Sequence, residues 1–163
     1  MANALQEMAE KMLTAEARIT GNEGFKPRVY KDTVGKNTIG YGFNIDDNTV
    51  RSLIPKDILQ GKRDMTQEEA LGIRKTLTDR AFEDARGFVG DETFSNLSTQ
   101  QRTALTDMAY NLGRNKLGEF ENLRAALKKG DYEQAGIEVL NSKYAKQVPS
   151  RAMANANLIL NRR

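Results

Sequence analysis

The longest regular pattern in the chain begins at Thr66. There the segment TQEE forms a capping box, in which Thr66 and Glu69, three residues on, each satisfy an amide left open at a helix start. Ala70, Ile73, Leu77, Ala81, Ala85 and Phe88 then fall on one apolar stripe, which predicts a long helix over roughly 66–86. The chain before this helix is of another kind. From Phe25 to Tyr41, Val, Tyr, Thr and Ile are interleaved with glycine, predicting strands joined by turns, the only convincing sheet signal in the chain. After the long helix the pattern stays helical. Ser98 repeats the capping box with Gln101 and opens a helix with Leu105, Met108, Ala109 and Leu112 facing inward and Gly113 at its C-terminal cap. A shorter helix over about 119–129 stops at Gly130, Asp131 caps the next segment, and Pro149 suits the first turn of a last helix running through Met153 and Leu158. Near the N-terminus, Leu5, Met8, Ala9, Met12 and Ile19 mark an amphipathic helix over about 3–19.

The expected fold is therefore α+β, mainly α. A small N-terminal lobe with an antiparallel β-hairpin sheet covers about 20–65. The helix over 66–86 joins it to a helical lobe made of 87–163 with 1–19, all within one domain spanning 1–163. A ligand is expected in a cleft between such lobes. With 163 residues, 39% of them hydrophobic, the chain can form one compact domain or two small lobes sharing a core. No apolar run suits a membrane span or a secretory leader, so a soluble protein made in a cytoplasm is expected.

Two zeros in the composition narrow the chemistry. The chain has no cysteine and no histidine. It therefore lacks a disulfide framework, Ser-His-Asp and Cys-His nucleophile systems, and any zinc site built on those ligands. Acid–base work near neutral pH falls to carboxylates, or less readily to Lys or Tyr. The net charge of +3 is uneven, because residues 101–163 carry 11 Lys and Arg against 6 Asp and Glu. A basic C-terminal half suits an anionic partner, whether nucleic acid, a membrane surface or a cell-wall polymer, and equally a solvated surface with no partner.

The stretch EGFKPRVYKDTVGKNTIGYGFNI, residues 23–45, concentrates polar residues around a turn. If the hairpin turns at Val34, Gly35 and Lys36, Asp32 lies opposite Thr38 and Tyr30 opposite Gly40, with Cα atoms of such pairs ~4.5–5.5 Å apart. A carboxylate and a hydroxyl so placed can hold a water, and Glu23 approaches from the preceding segment. Two carboxyl groups flanking a pocket meet the needs of glycoside hydrolysis. Spacing alone leaves a plainer reading open, because Asp before a turn commonly bonds nearby amides and Thr is a good strand former.

The run Glu23-Gly24, Tyr30-Lys31-Asp32-Thr33, Gly35 and Thr38-Ile39-Gly40-Tyr41-Gly42 resembles the signature of the phage-type lysozymes, the muramidases of tailed bacteriophages. The family's pattern of Glu, eight residues, Asp, five residues, Thr is matched at Glu23, Asp32 and Thr38. Further on, Asp107-Met108-Ala109-Tyr110-Asn111-Leu112-Gly113, Phe120, Ser142-Lys143-Tyr144 and Pro149-Ser150-Arg151-Ala152 are similar to its helical C-terminal lobe, so the resemblance covers roughly 13–160. Two departures stand out: Phe43 replaces a family histidine, and the first dozen residues are extra.

The resemblance implies a lysozyme-like fold and a peptidoglycan substrate, cut at the β-1,4 bond between N-acetylmuramic acid and N-acetylglucosamine. It implies no cofactor and no metal. Glu23 would be the general acid, kept protonated by burial, with Asp32 ionised and Thr38 positioning water. Inversion at the anomeric carbon is also implied, which requires the two carboxyls ~6.5–9.5 Å apart. Arg151 matches the position that contacts the catalytic Glu. Tyr41, Gly42, Asn44, Tyr110 and Phe120 join it as candidate substrate-binding residues, and glycines 40 and 42 would let a sugar chain lie near the backbone.

Two alternatives remain. A lytic transglycosylase on a related fold needs the acid alone and no held water, so it leaves Asp32 and Thr38 unexplained. A basic module binding nucleic acid or serving as a virion part explains the charge, but 7% aromatic residues offer little for base stacking. Nucleic acid is accordingly not expected as a partner, and the isolated domain is expected to be a monomer. It would act on the wall during host lysis or as a virion-associated enzyme. The extra N-terminal helix and the end at Arg162-Arg163 suggest a domain cut from a longer protein.

Overall fold

The computed structural model describes residues 24–160. The helix expected over 3–19 and the acid expected at Glu23 lie outside the described residues. The chain divides between Leu77 and Thr78 into two compact units.

The unit of residues 24–77 is built on a three-stranded antiparallel sheet in the order β1 (Lys26–Lys31), β2 (Asn37–Gly40), β3 (Phe43–Asn44). Edge strand β1 is mostly exposed and carries Lys26, Arg28 and Lys31, charges that discourage pairing with another chain. Central β2 is buried, and Ile39, Tyr41, Phe43 and Ile45 enter a core completed by Ile54, Ile58, Met65, Ala70 and Ile73. Two short helices come next, α1 (Asn48–Arg51) and α2 (Lys56–Leu59). The Asp47 carboxylate caps α1 by accepting from the amides of Thr49 and Val50.

Helix α3 (Gln67–Val89) is the long stripe, and the predicted capping box opens it. The Thr66 amide donates to Glu69 Oε1 at 3.0 Å, and the Glu69 amide to Thr66 Oγ1 at 3.1 Å. Arg63 donates to both Glu69 and Asp57, tying the helix start to α2. The Arg63 guanidinium, with the amide of Thr66, holds the Glu69 carboxyl down at about 2.

The unit of residues 78–160 is helical. It contains α4 (Asp91–Asn96), α5 (Thr99–Leu112), α6 (Arg114–Gly118), α7 (Glu121–Lys129), α8 (Tyr132–Leu140), α9 (Lys143–Gln147) and α10 (Pro149–Leu160). The Ser98–Gln101 capping box, Gly113 and Gly130 at helix ends, the Asp131 cap and Pro149 in the first turn all stand where the sequence puts them. The segment expected as one helix over 119–129 is preceded by the separate turn of α6, with Phe120 between the two. Helix α5 runs through the middle of the core, with Ala104, Leu105 and Met108 fully enclosed, and α10 packs against both α5 and α8. Gly136 lies at the α8–α10 contact, where a Cβ would stand 3.2 Å from the Leu160 side chain.

Candidate functional site

The loop between β1 and β2 is shaped by Asp32. Its Oδ1 accepts from the amides of Val34 at 3.0 Å and Lys36 at 2.8 Å, while its own amide donates to the Lys36 carbonyl at 2.9 Å. A short polar side chain that bonds its own turn in this way closes the loop early. Gly35 takes the required left-handed conformation, φ +83°.

This closure corrects the expected register. Thr38 pairs with Tyr30 and Asn37 with Lys31, so Asp32 is not opposite Thr38, nor Tyr30 opposite Gly40. The register instead slips near the other end of β1, where Gly40 pairs with Lys26. Asp32 follows the end of β1, two residues beyond Tyr30, the partner of Thr38, so its offset from Thr38 is diagonal rather than direct. Lys36 couples them: its amide bonds Asp32, and its carbonyl accepts the Thr38 hydroxyl proton at 2.9 Å. Thr38 is only 3% exposed. On its other side Thr38 pairs with Asn44, whose Oδ1 accepts from the Asp46 amide at 3.0 Å. Asp46 in turn accepts from the side chain and amide of Asn37, which keeps its carboxyl below the usual range.

The Gly40-Tyr41-Gly42 turn serves packing first. Gly40 is buried at φ +69°, and a Cβ there would stand 2.6 Å from the Phe43 ring. Tyr41 is buried between Phe25 and Phe43, with centroid distances of 5.5 and 6.3 Å, and the Arg74 guanidinium lies 4.8 Å over its ring. Gly42, at φ +78°, completes the turn.

In the helical unit, Arg151 is 12% exposed, and its Nε lies 3.1 Å from Oδ2 of the fully buried Asp107. Tyr110 is half-buried against the core. Phe120 lines a cavity of about 610 Å³ together with Lys116, Asn122, Asn141, Ser142 and Tyr144. Among the described residues no cluster of three or more acids could hold a metal ion, and no helix is long and apolar enough to cross a membrane.

The chain matches the phage lysozyme family over residues 20–163. It belongs to that family. Among curated relatives, this phage lysozyme is 26% identical over 144 residues to the probable T4-type lysozyme 2 of Dictyostelium discoideum, covering 80% of this chain and 84% of that protein. It is also 26% identical over 154 residues to the pre-baseplate central spike protein Gp5 of Enterobacteria phage T4. That match covers 85% of this chain but only 26% of the spike protein, so the chain spans about a quarter of that relative's length.

Sequence reasoning missed the partners of Arg151 in this phage lysozyme. Asn155 Nδ2 donates to Asp107 Oδ2 at 2.9 Å and lies 2.9 Å from the Tyr144 hydroxyl, so three helices meet at one buried polar cluster. A signal was present: Asp107 is an acid inside the stretch of α5 from Thr103 to Ala109 that is buried throughout. A buried charge needs a partner. Nothing local in the sequence says which one.

Proposed function

We propose that this phage lysozyme hydrolyses the β-1,4 bond between N-acetylmuramic acid and N-acetylglucosamine in bacterial peptidoglycan, with inversion at the anomeric carbon. Glu23 is the general acid, Asp32 and Thr38 hold the attacking water, and Arg151 supplies the cation of the catalytic set. Asn44, Gly42, Tyr110 and Phe120 are assigned to substrate binding, and Tyr41 to supporting the turn beside it. Family membership supports the glycosidase class.

The observation that carries the water site is the commitment of the Thr38 proton to the Lys36 carbonyl. A hydroxyl whose proton is spent offers only lone pairs. Both bonds accepted by Asp32 use Oδ1, which leaves Oδ2 as a second acceptor. A water that donates one hydrogen to each acceptor turns a lone pair outward, the orientation a nucleophile requires. A transglycosylase has no use for such a site, because its nucleophile is a hydroxyl of the sugar itself.

Similarity to a baseplate spike protein supports a virion-associated setting, in which the enzyme opens the wall at infection. A peptidoglycan-gel zymogram tests the class: wild type clears the gel and Glu23→Gln does not, with thermal unfolding nearly unchanged. Mass spectrometry of the released muropeptides tests the reaction. Reducing-end products are expected, and anhydro-muramic ends as the main product would refute hydrolysis.

A further inference from the structure

Asp107 is fully enclosed, and its carboxylate meets two groups from successive turns of α10: it accepts a hydrogen bond from Asn155 Nδ2 at 2.9 Å and forms an ion pair with Arg151, whose Nε lies 3.1 Å away without hydrogen-bond alignment. Asn155 also bonds the Tyr144 hydroxyl on α9. As a stabilising device this is poor. Removing two charges from water costs about as much as their attraction returns, and an apolar group of the same shape does as well or better. What such a cluster does well is geometry. It keeps a long, flexible arginine, whose side chain has 12% of its surface open, paired with one buried carboxylate.

We propose that Asp107 is a positioning residue for Arg151, and that Asn155 and Tyr144 hold the Asp107 carboxylate in turn. The assignment rests on the reading that places Arg151 in the catalytic set. Asp107 touches no reacting group. It acts by presenting the guanidinium in one pose and by preventing its collapse onto other acids. The carboxylate also offsets part of the guanidinium charge, which leaves a directed donor rather than a bare cation.

Initial-rate kinetics on purified peptidoglycan, read as reducing ends, test this with Asp107→Asn, Arg151→Met and the double variant. Asp107→Asn keeps the shape and removes the charge. Its kcat is expected to fall at least ~10-fold with KM changed less than ~2-fold, because an interaction used only in the transition state is lost. In the Arg151→Met background the same change should have no further effect, since Asp107 then has nothing to position. Multiplying losses in the double variant, or a wild-type kcat in Asp107→Asn, would overturn the proposal. If Asp107→Asn does not fold, Asn155→Ala reads the same chain of contacts. It should lower kcat in the parent and not in Arg151→Met, and unchanged turnover in the parent refutes the role. Full turnover in Arg151→Met would instead sink the reading that Arg151 is catalytic, whereas an impaired Arg151→Met with an unaffected Asp107→Asn sinks the positioning role alone.

Discussion

Thr38 can donate one hydrogen bond, and the Lys36 carbonyl already takes it. Replacing it with Val preserves the β-branched shape but removes the acceptor offered to water, so kcat should fall by ~100-fold, the usual cost of a misplaced reacting group. Thr38→Ser keeps the hydroxyl and should retain most of the turnover. Equal rates for Val and Ser would remove the water site. Gly40 tests the other role of the stretch. Gly40→Ala forces a Cβ to 2.6 Å from the Phe43 ring in a left-handed backbone, and strain with overpacking amounts to roughly 2–3 kcal/mol or more. Scanning calorimetry should show Tm lowered by roughly 5–10 °C. The glycine read from sequence as room for a sugar chain is thus needed by the core.

At the scale of elements, the start of α3 is where protonation meets stability. The Glu69 carboxyl ordinarily titrates at 4.5 and is held at about 2 in the folded state by Arg63 and the Thr66 amide. Its contribution is therefore fully present above pH 4.5 and is lost as the pH falls toward 2. The pair is near the surface and solvent screens it, so Glu69→Gln should cost only about 1 kcal/mol at neutral pH. Denaturant titrations at pH 6 and pH 2.5 should show the gap between variant and parent shrinking at the lower pH. A gap that stays constant would show that the capping bond, and not the charge, carries the effect. The same signals that give Glu69 its role made the long elements legible. Capping residues and apolar stripes are local, and they placed α3, α5, α8 and α10 closely. The short helices α1, α2, α4, α6 and α9 went unread because four to six residues do not complete enough turns to show a period.

For the whole molecule, charge is the property most open to test. The chain carries a net charge of +3, concentrated toward its C-terminal half. Long-range attraction to an anionic wall is screened over ~10 Å at 0.1 M salt. Binding to intact sacculi should weaken several-fold between ~0.05 and ~0.5 M salt, while kcat on short glycan fragments should change little. Salt-independent binding, measured by sedimentation, would show that the basic surface has no part in wall attachment.

By itself the sequence determined the chemistry available and the order of the elements. Without histidine or cysteine, acid–base work near neutral pH falls to carboxylates, and the chain's own order of residues carries its membership of the phage lysozyme family. Tertiary structure decided two matters that spacing could not. One is the register of the hairpin, set when Asp32 bonds the amides of its own turn and closes the loop early, which makes it a diagonal neighbour of Thr38. The other is the environment of Arg151. Asp107 and Asn155 stand 48 positions apart in the chain and meet only because α10 packs on α5. A helix cap spans three or four residues and can be read along the chain, but a buried pair is chosen by packing between helices.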